Sequence, residues 1–155
     1  FLLGGYNKAV SSISGRTETK LKERYPNLNI IGSLSDFSWR EHDDNKTVSY
    51  IKDCMKKHSV QKLDILAVAY GQAKQEKWID RNASKIPATI SLGLGGTFDY
   101  MSGAITRAPY TLRKLNLEWL YRLIKEPKKR FSRVINAFPI FPLKVFFSAL
   151  KYDNR

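Results

Sequence analysis

An α/β fold is predicted by three features of this sequence: a Rossmann-like parallel sheet flanked by helices, carrying a basic amphipathic helical appendage at its C-terminal end. Short apolar runs alternate with stretches of helical periodicity over residues 1–106. One run, Leu63 to Tyr70 (LDILAVAY), is almost continuously apolar and bounded by polar residues, the pattern of a strand buried on both faces of a parallel sheet. The last third of the chain, residues 107–155, changes character and holds twelve basic residues against three acids.

The elements follow in order. Phe1 to Gly5 (FLLGG) reads as a strand running into a glycine turn, and Tyr6 to Arg24 as a helix that stops before Tyr25-Pro26, because the residue preceding proline disfavours the α region. Asn29 to Gly32 is a second short strand. Asp43 to His58 is a helix with Val48, Ile51, Cys54 and Met55 on one face, and Leu63 to Tyr70 is the third strand. Lys74 to Ser84 is a helix and Thr89 to Gly95 a further buried strand. This βαβαβαβ order predicts parallel pairing, with ligands bound beyond the carboxyl ends of the strands.

From Tyr110 a helix is expected to run to Lys125, with Leu112, Leu115, Trp119 and Leu123 on one side and Lys114, Glu118, Arg122 and Lys125 opposite. A second basic stretch, Lys128 to Val134, leads into an aromatic and proline-rich tail. The organisation expected is a nucleotide-sugar-binding region over 1–106 and a membrane-binding appendage over 107–155. The start at Phe1, with a buried strand and nothing before it, reads as a chain whose N-terminal part is missing.

With 155 residues, 43% of them hydrophobic, the chain has material for one sizeable core. The formal net charge of +13 favours a polyanionic partner. Cys54 is the single cysteine, which excludes an intrachain disulfide and a cysteine zinc cluster and suits a reducing compartment. No run approaches the roughly 18 apolar residues of a spanning helix, since AFPIFPLKVFF is broken by Pro139, Pro142 and Lys144. His42 and His58 match no metal-ligand spacing, and neither a metal nor a cofactor is expected.

Three strand-end loops have the composition of a polar-ligand site. Gly4-Gly5 allows close backbone approach to a phosphate or sugar. Gly71-Gln72-Ala73-Lys74-Gln75-Glu76 places a glycine, a cation and amide or carboxylate groups at a helix start, where backbone N–H groups attract anions. Gly95-Gly96-Thr97-Phe98-Asp99 adds a hydroxyl and an acceptor suited to a ribose or uracil, although Asp99 also fits as a helix N-cap. Taken singly, each loop is an ordinary turn or a solvated first helical turn; three at one sheet edge favour a ligand. For the basic tail the readings are nucleic acid, a solvated face, or an amphipathic segment lying on an anionic membrane with Tyr110, Trp119 and Tyr121 near the headgroups. No RNA-recognition, zinc-finger or helix-turn-helix motif accompanies the charge, so nucleic acid is not the expected partner.

FLLGG, ERYPNL, DILAVAYGQAKQEKWI and GGTFDYMSGAITRAPYTLRKLNLEWLYRLIKEPKKRF, in that order, resemble the WecG/TagA/CpsF family of glycosyltransferases. The resemblance implies an inverting, metal-independent enzyme that moves N-acetylmannosamine or a related hexose from a UDP-sugar to a lipid-linked pyrophosphate acceptor. The setting it implies is the synthesis of teichoic acid, common antigen or capsule, in the cytoplasm and peripheral on the inner face of the bacterial plasma membrane. It places Gln75 near the donor sugar and diphosphate, Asp99 at the nucleoside, and Arg122, Lys129 and Arg130 in the membrane appendage. Arg107, Arg113 and Arg133 share that basic segment. The general base of the family lies in the N-terminal half, so no catalytic base is assigned within this chain. Where the family pattern is Gly-x-Pro-Lys-Gln-Glu, Ala73 stands in place of the proline. The competing classes are a non-catalytic nucleic-acid- or lipid-binding module and an inactive paralogue; a homo-oligomer is compatible with every one of these readings.

Overall fold

The computed structural model describes residues 1–5, 12–125, 127, 131 and 134–152. They divide into two compact units, Phe1–Thr106 and Arg107–Arg155. The first unit runs β1 (Leu2–Gly4), α1 (Ile13–Arg24), β2 (Ser33–Leu34), α2 (Glu41–Lys57), β3 (Leu63–Ala69), α3 (Lys74–Asn82), β4 (Ala88–Gly93) and α4 (Thr97–Met101). The four strands form one parallel sheet in the order β2-β1-β3-β4. The predicted α/β class and parallel pairing are therefore present.

Alternation along each strand sorts side chains onto two faces. Leu3 of β1 with Leu66 and Val68 of β3 packs against Val48, Ile51 and Met55 of α2 and against Trp78 of α3. Leu2, Ala67 and Ala69 face the other way, onto Ile13 of α1, Ile30 and Phe98 of α4. Each helix end has a local cause. Ser12 caps α1 by accepting from the Gly15 N–H at 3.0 Å. The end of α2 closes with Ser59 at φ 55°, its N–H donating to Lys56 O at 3.0 Å while Val60 N–H donates to Met55 O at 2.8 Å, a paired C-terminal cap.

Several expectations need correction. Asn29 to Gly32 is not a strand; the pairing residues are Ser33 and Leu34, whose partners are Leu2 and Leu3. The helix expected from Tyr6 begins at Ile13 because Ser12 takes the cap position, and Tyr6 to Ser11 lie outside the described residues. LDILAVAY is only partly buried on both faces: Asp64 and Ile65 are exposed. β4 is not a buried strand at all, since it lies at the edge of the sheet and has no fully buried position. Of the helical face expected on α2, Cys54 is only half-buried.

In the second unit the single helix expected from Tyr110 to Lys125 is broken into α5 (Tyr110–Lys114) and α6 (Glu118–Lys125). Asn116 adopts φ 57°, and the N–H groups of Asn116 and Leu117 donate to Arg113 O and Leu112 O at 3.1 and 2.8 Å. That is again a paired C-terminal cap, with asparagine in the left-handed position it tolerates better than most residues. The proline-rich tail is helical: a π-turn at Asn136–Ile140 holds Pro139, and α7 (Phe141–Tyr152) follows. On α7 Phe141, Leu143, Val145, Phe146 and Phe147 are all exposed.

Two loads on the first unit are testable. Glu18 of α1 accepts from Ser33 Oγ at 2.6 Å and from Lys22 Nζ at 2.7 Å. Partial burial pushes its carboxyl upward, but the bonds from Lys22 and Ser33 outweigh that and hold it below the usual carboxylate range. A depressed folded-state value contributes stability above the unfolded carboxylate value of about 4.3, which is lost as pH falls through the lower folded value. Glu18→Gln is accordingly expected to flatten the acid-side fall of the urea midpoint; an unchanged slope contradicts it.

The second load is Ala73, the residue ahead of α3, which sits at φ 65°. A proline ring is held near about −65° and cannot adopt that angle. Ala73→Gly is expected to raise stability by up to about 1 kcal/mol and Ala73→Pro to lower it by more, both read from urea denaturation.

Candidate functional site

The order β2-β1-β3-β4 means that the chain leaves β1 toward one side of the sheet and returns with β3 on the other. Loops diverge at that point, and the crevice beyond the carboxyl ends of β1 and β3 is where ligands bind in open parallel sheets. The sequence places glycines there: Gly4-Gly5 after β1, Gly71 after β3 and Gly95-Gly96 after β4.

The loop after β1 is pressed against its neighbours. Gly4 has φ 92°, and a Cβ on it would lie 2.9 Å from the carbonyl carbon of Ala69. Only glycine lets β1 approach β3 this closely while turning. Gly5 N–H donates to Ala69 O at 3.0 Å. Ser35, just beyond β2, donates to Gly4 O at 3.0 Å and meets Ser14 Oγ at 2.5 Å, so the ends of β1 and β2 and the start of α1 are joined by buried hydroxyls. On the other side, the space a Gly5 side chain would need is taken by Ile13 and Phe98.

Gln75, on the first turn of α3, is buried. Its Oε1 accepts from Gly95 N–H at 3.0 Å and its Nε2 donates to Glu76 Oε1 at 2.9 Å. The two partners fix the amide orientation, since only the oxygen can accept from an N–H and only the nitrogen can donate to a carboxylate. The bond from Gln75 holds the Glu76 carboxyl below its usual range. The amide lies across Gly93, where a Cβ would sit 2.5 Å from Nε2. Gln75 is thus a tie between the loops after β3 and β4, which sequence reading placed beside the donor. Gly71, by contrast, has open space around its Cα.

Lys74 sits over the Trp39 ring, 5.6 Å from its centroid. The same loop after β2 is held by Arg81, which donates to Trp39 O at 2.7 Å and to Asp44 Oδ2 at 2.9 Å. This loop, Ser35 to Arg40, is a fourth element at the carboxyl edge that sequence reading passed over, because β2 was placed two to four residues too early. Its tryptophan, preceded by Ser35, an exposed Asp36 and Ser38, was the available signal.

Gly96 precedes α4, Thr97 opens it, and Asp99 lies half-buried within it, its main-chain oxygen accepting from Ser102 Oγ and from Ile105 N–H. Asp99 is not the helix N-cap. The structure therefore ties the loop of Gly71 to Glu76 to that of Gly95-Gly96 through Gln75 and sets Gly4-Gly5 against the end of β3 at Ala69, while Lys74 is directed to Trp39. In the second unit Arg107 is exposed, Arg113 lies 5.9 Å from the Tyr110 ring centroid and Arg122 is on α6. Lys129, Arg130 and Arg133 lie outside the described residues. Among the described residues no group of three or more His, Cys, Asp or Glu side chains could hold a metal ion, and no helix is long and apolar enough to cross a membrane.

The sequence matches the glycosyl transferase WecG/TagA/CpsF family over residues 1–155. The N-acetylglucosaminyldiphosphoundecaprenol N-acetyl-beta-D-mannosaminyltransferase of Staphylococcus aureus strain MW2 is 34% identical over 145 residues, 94% of this chain and 51% of the relative. The proteins of the same name from strains NCTC 8325 and MRSA252 are 34% and 32% identical over the same shares. The chain thus spans about half the length of the curated relatives it matches. With a parallel sheet, a glycine-lined carboxyl edge and a family match along its whole length, this chain belongs to the WecG/TagA/CpsF family of glycosyltransferases.

Proposed function

We propose that this chain forms the donor-binding and membrane-apposed part of a glycosyltransferase that moves a hexosamine, N-acetylmannosamine or a close relative, from a UDP-sugar to an undecaprenyl-diphosphate-linked sugar. The product enters cell-surface polysaccharide such as teichoic acid, and the enzyme works peripherally at the inner face of the plasma membrane. The observation that carries the reading is the tie from Gln75 to Gly95 across Gly93, which welds the glycine loops after β3 and β4 into one wall beside the point where strand order reverses. Gly71, with open space where a side chain would stand, lets a diphosphate come close to the backbone, and the start of the twelve-residue α1 adds its positive dipole end.

Chemically, the reaction is a direct displacement. The acceptor hydroxyl loses its proton to a base that is not assigned among these residues, its oxygen attacks the anomeric carbon, and UDP departs with the electron pair of the broken C–O bond. Preorganised N–H donors at the leaving diphosphate lower the barrier because they need no reorganisation as charge develops. Asp99 is read as a nucleoside contact and Thr97 as a hydroxyl beside it. Gln75 acts by holding Gly95 in place.

The second unit is read as the membrane contact. Arg107, Arg113, Arg122, Lys129, Arg130 and Arg133 supply positive charge toward anionic headgroups and the acceptor pyrophosphate, and the exposed aromatic residues of α7 supply insertion into the interface.

For the site, the chain is grafted in place of the matched stretch of the Staphylococcus aureus relative and assayed with UDP-N-acetylmannosamine and a lipid-diphosphate-linked N-acetylglucosamine. Transfer is expected, and Gly93→Ala, which displaces the Gln75 amide, is expected to weaken UDP binding at least about tenfold, near 1.4 kcal/mol. Absence of UDP binding to the graft defeats the donor reading. For the membrane, Phe146→Ser with Phe147→Ser is expected to weaken binding to phosphatidylglycerol vesicles at least about tenfold, since each buried phenylalanine contributes about 1.5–3 kcal/mol. Raised salt should weaken what remains. Vesicle binding that survives both changes removes the membrane role.

A further inference from the structure

Parallel sheets are covered on both faces, because each strand in them is apolar on both sides. In this sheet one face is covered by α2 and α3, but the other is covered only in part. In the β3–β4 register Ile65 stands beside Ile90 and Ala67 beside Leu92. These cross-strand neighbours lie on the face that α1 and α4 cover farther along, yet Ile65 is 49%, Ile90 48% and Leu92 41% exposed. Ile65 and Leu92, together with Leu28 and Met101, also exposed, border a groove of about 320 Å3 that continues down to the buried Phe98, and Ile90 stands beside Ile65 at its margin. Scattered apolar residues on a surface need no explanation, whereas a contiguous set on one sheet face does. A second concavity is walled by Lys20, Leu21, Glu23 and Arg24 of α1 with Tyr25 and Met101, a mainly charged lining without a sheet floor.

The edge of the sheet tells the same story. β4 (Ala88–Gly93, ATISLG) contains no charge and no proline, the devices that keep an edge strand from pairing with another chain. A bare apolar face beside an unprotected edge is the combination that a further strand and helix complete.

We propose that this face and this edge are the seat of the additional half that the relatives carry, packing a helix over Ile65, Ile90 and Leu92 and extending the sheet at β4. Length selects this occupant. The relatives are about twice as long as the matched stretch, so material for a covering layer exists in them. The groove is rimmed at its amino end by Asn29, Lys62 and Asp64, the mixed polar border of a protein contact and not of a hydrocarbon-binding channel. The occupant is therefore polypeptide, and the inference stands apart from which sugar is transferred.

The test is thiol reactivity. Ile90→Cys is introduced with Cys54→Ser, and labelling is followed in the 155-residue chain and in the graft on the Staphylococcus aureus relative described above. Labelling is expected to be fast in the chain and at least about tenfold slower in the graft, while a Lys52→Cys control on exposed α2 labels equally in both. Equal labelling of Ile90→Cys in both proteins overturns the proposal. So does protection already present in the chain alone, and so does protection that grows with chain concentration, which would assign the face to a second copy. A cysteine at the aligned position of the intact relative gives an independent reading: rapid labelling there also overturns the proposal, and protection supports it.

Discussion

β1 is three residues long, yet it pairs along both of its edges, and the elements that build the carboxyl edge are hung from it. Its last residue can turn only because Gly4 has no side chain at the point where the Ala69 carbonyl passes. Any larger residue would push β1 away from β3 and carry with it Ser35, which donates to Gly4 O, and Ser14, which meets Ser35 at the start of α1. A single close approach of backbones therefore sets the positions of three strand ends and one helix end. Such a contact cannot relax by rotating a side chain, which makes it a strong constraint on register.

The polar groups of the first unit are used in the same way, as ties between elements far apart in the chain. Gln75 links α3 to the loop after β4, and Arg81 links α3 to α2 and to the loop after β2. Asp44 and Gln75 are buried, and a buried polar side chain left without partners costs about 1–3 kcal/mol, so each tie discriminates sharply between the correct loop arrangement and any other. These ties use the N–H groups of Gly5 and Gly95 inside the fold and leave open space beside Gly71.

Two of the apolar surfaces among the described residues have borders that differ. The sheet face of Ile65, Ile90 and Leu92 is a strand surface with a small polar rim, while α7 is apolar on an otherwise strongly basic segment of chain. The first is bordered by Asn29, Lys62 and Asp64, of mixed charge, while the second lies in a segment with twelve basic residues against three acids. Charge placement, more than hydrophobicity, separates them.

Much of the fold was legible because hydrophobic periodicity is a local property. The apolar run of β3, the apolar stripe of α2 and the stop before Tyr25-Pro26 could be read from a few residues each, and the alternation of runs and helices implied parallel pairing. Strand β2 was misplaced because a two-residue pairing segment has no period to read, and with it the loop from Ser35 to Arg40 was overlooked. The helix from Tyr110 was read as unbroken because its apolar spacing continues through Asn116, where only hydrogen bonds to Arg113 and Leu112 reveal a cap. Of the site, composition alone picked out the glycines and Gln75. What the sequence by itself determined was the class of fold and the family, since these follow from residue type and order. The tertiary structure alone decided that Gln75 spans Gly93 to reach Gly95, that Lys74 turns to Trp39, and that β4 is an exposed edge. Those outcomes depend on contacts between residues up to 35 positions apart, Lys74 and Trp39 being the most distant of these pairs, and no local pattern encodes them.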